Sequence, residues 1–267
     1  MKRMIAMVLA LCLALACLGA AAEGGLEWAE APAAVDEPAE EAAAAGEETA
    51  DADGTGEPAG RLAGVKIGID PGHQEHGNNG KETIAPNSKK TKPKVSSGTR
   101  GVKTKIPEYM TVLEISFALR DALLAEGAEV YMTRETHDVD ISNQERAKMM
   151  NDLGVDLVLR IHCDGTNKKS ANGIGLFVNK SYAISKESKR AAQCILPRMV
   201  EATGAKKRGV YERDTYTGLN WSEVLCILVE CGYLTNPDED VQLNDPEYQK
   251  LLAQGMVEGI VDYMREN

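Results

Sequence analysis
Two histidines and two glutamates in this chain have the side chains needed to hold a metal ion and to move protons beside it. His73 follows the apolar-alternating stretch Val65 to Asp70, and His162 follows the apolar run Val155 to Ile161. Glu230 follows Val224 to Val229, and Glu108 opens a helical pattern directly after Pro107. Two imidazoles and a carboxylate are a sufficient protein set for a catalytic zinc ion that keeps its fourth position for water. A second carboxylate can then carry protons. Each residue also has a plainer reading: His73 as a turn residue, Glu108 as an acid favoured at a helix start, His162 as a buried polar strand terminus, Glu230 as an ion-pair partner. Of the chain's four histidines, His76 is the rival to His73, and His137 sits in a polar stretch.

The elements that must position these residues alternate between strand and helix. Val65 to Asp70 stops at the turn pair Pro71-Gly72. Val112, Ile115, Leu119 and Leu123 give residues 108–126 the spacing of an amphipathic helix, with Gly127 as terminator. Ala128 to Thr133 reads as a strand, and Ser142-Asn143-Gln144-Glu145 as a capping box opening the next helix. Val155 to Ile161, Gly173 to Asn179 and Val224 to Val229 read as further strands. A helix near 185–203 contains Pro197, which is expected to kink or interrupt it. Asn236-Pro237 and Asp245-Pro246 are two more helix starts, and the last helix buries Leu252, Met256, Val257, Ile260 and Met264. The pattern predicts one α/β domain with a mostly parallel sheet covered by helices on both faces. In such sheets the ligand crevice lies beyond the carboxyl ends of the strands, where all four residues converge.

Charge divides the chain. The whole has a net charge of −11 over 267 residues. Lys2 and Arg3 precede an apolar or small-residue run from Met4 to Ala22, the pattern of a secretory signal over residues 1–22. An uncleaved membrane anchor, or lipid attachment through Cys17, are the alternatives; all three place the remainder outside the cytoplasm. Residues 23–60, rich in Ala, Glu, Pro and Gly, hold 12 acids and no base and read as a disordered tether. Setting aside those acids and the two basic residues at the start leaves residues 61–267 with a net charge of −1. Acidity of the whole argues against a nucleic-acid partner; for the nearly neutral domain, the export signal and the site motifs carry that exclusion. Cys163, Cys194, Cys226 and Cys231 lack the spacing of a disulfide-stapled module, and Cys163 and Cys231, each following a site candidate, are expected to be buried thiols.

Five stretches in order, Ile67-Gly68-Ile69-Asp70-Pro71-Gly72-His73, Pro107-Glu108-Tyr109, Met132-Thr133-Arg134-Glu135-Thr136, Arg160-Ile161-His162 and Leu228 to Asn236, resemble the zinc-dependent N-acetylmuramoyl-L-alanine amidases of bacterial cell-wall turnover, the type 3 amidase family. The resemblance spans about residues 65–265. It implies a central six-stranded sheet, a single zinc ion held by His73, Glu108 and His162, and Glu230 as the proton-handling catalytic residue. The implied substrate is peptidoglycan and its muropeptides, cut between N-acetylmuramic acid and L-alanine, so that stem peptides leave the glycan during wall turnover or cell separation. The residues around His162 depart from the family pattern, with Arg160 before Ile161 and Cys163-Asp164-Gly165 after. Arg160 and Asn220 are the candidate substrate contacts, Asn220 because residues 214–222 are expected to form a groove wall. The long loop from Gln74 to Pro107 carries Lys81, Lys89, Lys90, Lys92, Lys94, Arg100, Lys103 and Lys105, with Glu82 as the only acid between 81 and 105. It reads either as a solvated flexible loop or as a basic rim for stem-peptide carboxylates or anionic wall polymers. A membrane contact is expected only through the N-terminal segment.

Overall fold
The computed structural model describes residues 60–182 and 184–266. The segments read as signal and tether lie outside the described residues, apart from Gly60. In chain order the elements are β1 (Lys66–Pro71), β2 (Asn78–Thr83), β3 (Thr91–Val95), α1 (Glu108–Ala125), β4 (Glu129–Met132), α2 (Asn143–Leu153) and β5 (Leu157–Asp164). They continue with β6 (Ile174–Asn179), α3 (Ser185–Thr203), β7 (Lys207–Arg213), α4 (Thr217–Trp221), β8 (Leu225–Tyr233), α5 (Pro237–Leu243) and α6 (Pro246–Arg265).

Six strands form one sheet in the order β4-β1-β5-β8-β6-β7, and β2 and β3 form a separate hairpin. Every neighbouring pair in the large sheet is parallel except β6 against β8. Alternate residues of the central strands face two different apolar clusters. Ile67, Leu159, Ile161, Ile227 and Val229 join Val112, Ile115 and Leu119 of α1, Ile195 and Met199 of α3, and Leu252, Met256 and Ile260 of α6 in the main core. Val158 and Leu228 face the opposite way and meet Met150 of α2 and Leu219 of α4. Each fully buried aliphatic side chain contributes about 1.5–3 kcal/mol relative to exposure, so the heavier face carries most of the stability. The lighter face keeps room for a cleft.

Local chemistry accounts for the helix starts. Glu145 N donates to Ser142 Oγ (3.2 Å) and Ser142 N to Glu145 Oε2 (2.8 Å), a complete capping box on α2. Asn236 and Asp245 accept from the first-turn amides of α5 and α6, with Pro237 and Pro246 at the next position. Helix α3 continues through Pro197 as one element rather than being interrupted. Ile195, Leu196 and Met199 around it are fully buried, and that packing outweighs the one helical hydrogen bond proline removes.

Candidate metal centre
The first donor is aimed by a turn. Beyond β1, His73 adopts left-handed backbone with φ 60°, which a side chain with a β-carbon disfavours. Two arginines hold the turn in place. Arg134 donates to Pro71 O (3.0 Å) and Gly72 O (2.9 Å), and Arg146 to Pro71 O (2.8 Å) and His73 O (2.9 Å). Arg146 also donates to Asp70 Oδ1 (2.9 Å), which accepts from Thr133 Oγ1 (2.6 Å), while Arg160 Nη2 lies 3.0 Å from Asp70 Oδ2. Burial works to raise the Asp70 carboxyl, but the Arg160 and Arg146 charges outweigh it and hold the group well below the usual carboxylate range. Burial, and then the Arg146 charge, bring Arg134 down to about 10, so it remains a cation at neutral pH.

His73 Nδ1 donates to Ser96 O at 2.9 Å, which leaves Nε2 as the free acceptor facing inward. Glu108, the first residue of α1, is 3% exposed; its Oε2 accepts from Thr99 N (2.9 Å) and its Oε1 from Cys163 N (3.0 Å). His162 lies inside β5, which runs on to Asp164, rather than following the strand's end. Nε2 of His73, Nδ1 of His162 and Oε1 of Glu108 are 3.1, 3.2 and 3.3 Å from one another. Donors arranged tetrahedrally about 2.0–2.1 Å from a zinc ion stand roughly 3.3 Å apart, so the three atoms fit such an ion without rearrangement. Burial keeps His162 below its ordinary value, in the neutral form that can ligate. Burial opposes the Glu108 charge, yet the adjoining His162 and His73 rings keep that carboxyl below the usual range. Two glycines leave space for the set: a β-carbon on Gly72 would overlap the His162 ring, and one on Gly98 (φ 78°) would lie 2.7 Å from Glu108 Oε2.

Glu230 lies inside β8, opposite His162 in the parallel register. It is 8% exposed, and its Oε2 has no hydrogen-bond partner among the described residues. Burial, then the charges of Glu108 and Asp164, push its carboxyl well above the usual range. A cavity of about 660 Å³ joins all four residues, with Lys92, Thr99 and Arg160 also on its walls. Its chemistry is that of three converging metal donors beside one unpartnered carboxylate, a set suited to activating water against a polarised carbonyl.

The remaining candidates separate. His76 lines a different surface pocket with Asn78 and Asp140. Arg160 does reach the cavity, but it is 4% exposed and paired with Asp70 and Asn143. Asn220 does not line the cavity: its Nδ2 donates to Ile84 O and Asp214 O, its Oδ1 accepts from Asn179 Nδ2, and the side chain serves to join the hairpin to the sheet. The expected substrate contact at Asn220 is therefore corrected; an amide with these bonds satisfied inside the protein has little left to offer. Cys163 and Cys231 are free thiols in the main core, on the opposite sheet face from His162 and Glu230. Ser96, Thr99 and Arg146 escaped the sequence reading. Only the arginine carried any signal, as a cation within an otherwise amphipathic helix.

A family model described as N-acetylmuramoyl-L-alanine amidase matches residues 67–262. The chain belongs to this family. That membership places it in the N-acetylmuramoyl-L-alanine amidase class of enzymes. It is 29% identical over 179 residues to the germination-specific N-acetylmuramoyl-L-alanine amidase of Bacillus subtilis (strain 168), a match covering 61% of this chain and 73% of that one. With the N-acetylmuramoyl-L-alanine amidase LytC of the same strain it shares 28% over 204 residues, which is 76% of this chain but only 36% of that relative's length. The amidase Ami1 from Mycobacterium abscessus superposes with a TM-score of 0.70 at 26% identity, over 76% of this chain and all of the other.

Proposed function
We propose that this type 3 amidase hydrolyses the amide between the lactyl carbonyl of N-acetylmuramic acid and L-alanine, with one zinc ion held by His73, Glu108 and His162. The observation that carries the reading is the triangle of donor atoms at 3.1–3.3 Å with the unpartnered Glu230 carboxylate on the adjacent strand. Zinc, when bound, supplies Lewis acidity toward the amide carbonyl and the attacking water. Glu230 accepts the water proton during attack and returns it to the departing alanine nitrogen, because an amine leaves an amide poorly unless protonated. Arg134 and Arg146 keep His73 aimed, and Ser96 keeps its proton on Nδ1.

Cleavage releases stem peptide from glycan, in wall turnover or cell separation. Peptidoglycan lies outside the cytoplasmic membrane, and residues 1–22 supply the export signal in this reading, 23–60 the tether and 61–267 the catalytic domain. The test is Glu230→Gln: zinc content should stay near one per chain while muropeptide hydrolysis falls by about 10²–10⁴-fold. Mass analysis of wild-type digests should show free stem peptide and intact glycan. A shortened peptide would identify a peptidase instead, and near-normal turnover by the variant would remove Glu230 from its role.

A further inference from the structure
The cavity carries charges of both signs, and nearly all are answered within the protein. Glu108 faces two imidazoles, Arg160 pairs with Asp70, and Arg208 Nη2 meets Asp164 Oδ2 at 2.9 Å. Glu230 and Lys92 are the exceptions. Lys92 is exposed on β3 and lines the cavity; its Nζ donates to Thr215 O at 2.6 Å, on the segment before α4. Among the described residues no carboxylate lies within ion-pair distance of it. An ammonium has three donors, so two N–H groups and a full charge remain available. The one acid of the hairpin, Glu82, faces Lys92 across the strands but is 7% exposed and accepts from Gln144 N. Lys81, Lys89 and Lys90 are exposed on the same hairpin and add to its positive field.

We propose that Lys92 is a specificity-determining residue that receives a carboxylate of the stem peptide and so sets the peptide side of the substrate along the β2–β3 hairpin. This rests on the amidase reading above. The glycan offers neutral hydroxyl and acetamido groups, whereas the stem peptide carries the carboxylates, and only they complement an unanswered ammonium. A long anionic wall polymer would instead engage Lys81, Lys89 and Lys90, none of which lines the cavity. Lys92 shares its cavity with His73, Glu108 and His162, so a substrate held at those residues lies in the same cleft as its ammonium.

The experiment uses the full chain and two muropeptides that differ only in one stem carboxylate, left free or converted to carboxamide. Wild type should prefer the carboxylate form. Lys92→Met should lower kcat/KM about tenfold on that form and by less than about twofold on the carboxamide, as expected for loss of one charge-assisted hydrogen bond. Lys92→Arg should retain the preference. Equal loss on both substrates would reduce Lys92 to a strut against Thr215 and overturn the proposal, as would no loss on either. Weakened binding to an anionic wall polymer with unchanged discrimination between muropeptides would overturn it in favour of an outer docking surface. Failure of the wild type to release any stem peptide strikes the amidase reading itself, and is visible before the variants are compared.

Discussion
His73 shows how a single residue combines strain and function. Left-handed backbone costs a residue with a β-carbon about 1–2 kcal/mol, and the structure holds it there with arginine bonds to the carbonyls of Pro71, Gly72 and His73. That His73, Glu108, His162 and Glu230 lie near strand ends or a helix start was legible from sequence, although His162 and Glu230 fall inside β5 and β8. Their geometry was not. Ser96, which fixes the His73 proton, arrives from 23 residues away across the hairpin, and local pattern cannot register that approach. Gly98 is the sharpest test at this scale, since its positive φ and its contact with Glu108 leave no room for a methyl group. Gly98→Ala should keep the circular dichroism of the fold but bind zinc about 10–100-fold more weakly, the range for disturbing groups that orient a ligand. A chelator-competition titration measures this; unchanged affinity would mean the loop can yield without cost.

Among elements, Asp70 is the joint. It links β1 to Arg146 of α2, to Arg160 of β5 and to Thr133 just after β4. Removing one partner from a buried ionic cluster costs about 3–5 kcal/mol, so Asp70→Asn should be less stable than wild type by roughly that amount at pH 7. The folded pKa of Asp70 lies below its unfolded value near 3.8. Its contribution is therefore fully present above about pH 4 and is lost as pH falls further through the folded pKa. Urea denaturation from pH 7 to pH 3 should show the gap between wild type and Asp70→Asn narrowing only below about pH 4; a gap that is constant with pH would place the acid sensitivity elsewhere. The elements around this joint were legible: β1, α1 and α6 match the apolar spacing closely, and α2 opens at its capping box. Three strands were not. Lys207–Arg213 (β7) lies at the sheet edge and is largely polar, and Asn78–Thr83 (β2) and Thr91–Val95 (β3) have one buried residue each. Such strands are fixed by pairing and by long-range bonds, such as Trp221 Nε1 to Thr83 O at 2.9 Å, rather than by alternation. The long basic loop is thus an ordered wall of the cleft.

For the whole molecule, the proposed zinc could build the fold or only the site. The donors come from the turn after β1, the start of α1 and the end of β5, elements already joined through the main core by Ile69, Val112, Ile115 and Ile161. The core does not include the donors, so the domain should remain folded when zinc is withdrawn. Zinc that binds only the folded state still adds stability: at a free concentration 1,000 times Kd the increment is about 4 kcal/mol. A domain of this size shifts by about 2–4 °C per kcal/mol. Saturating chelator should therefore abolish muropeptide hydrolysis and lower Tm by about 8–16 °C while unfolding stays cooperative, and added zinc should restore both. Collapse of the near-ultraviolet signal on chelation would show that the core depends on the metal. An unchanged Tm together with unchanged turnover would remove the metal from His73, Glu108 and His162.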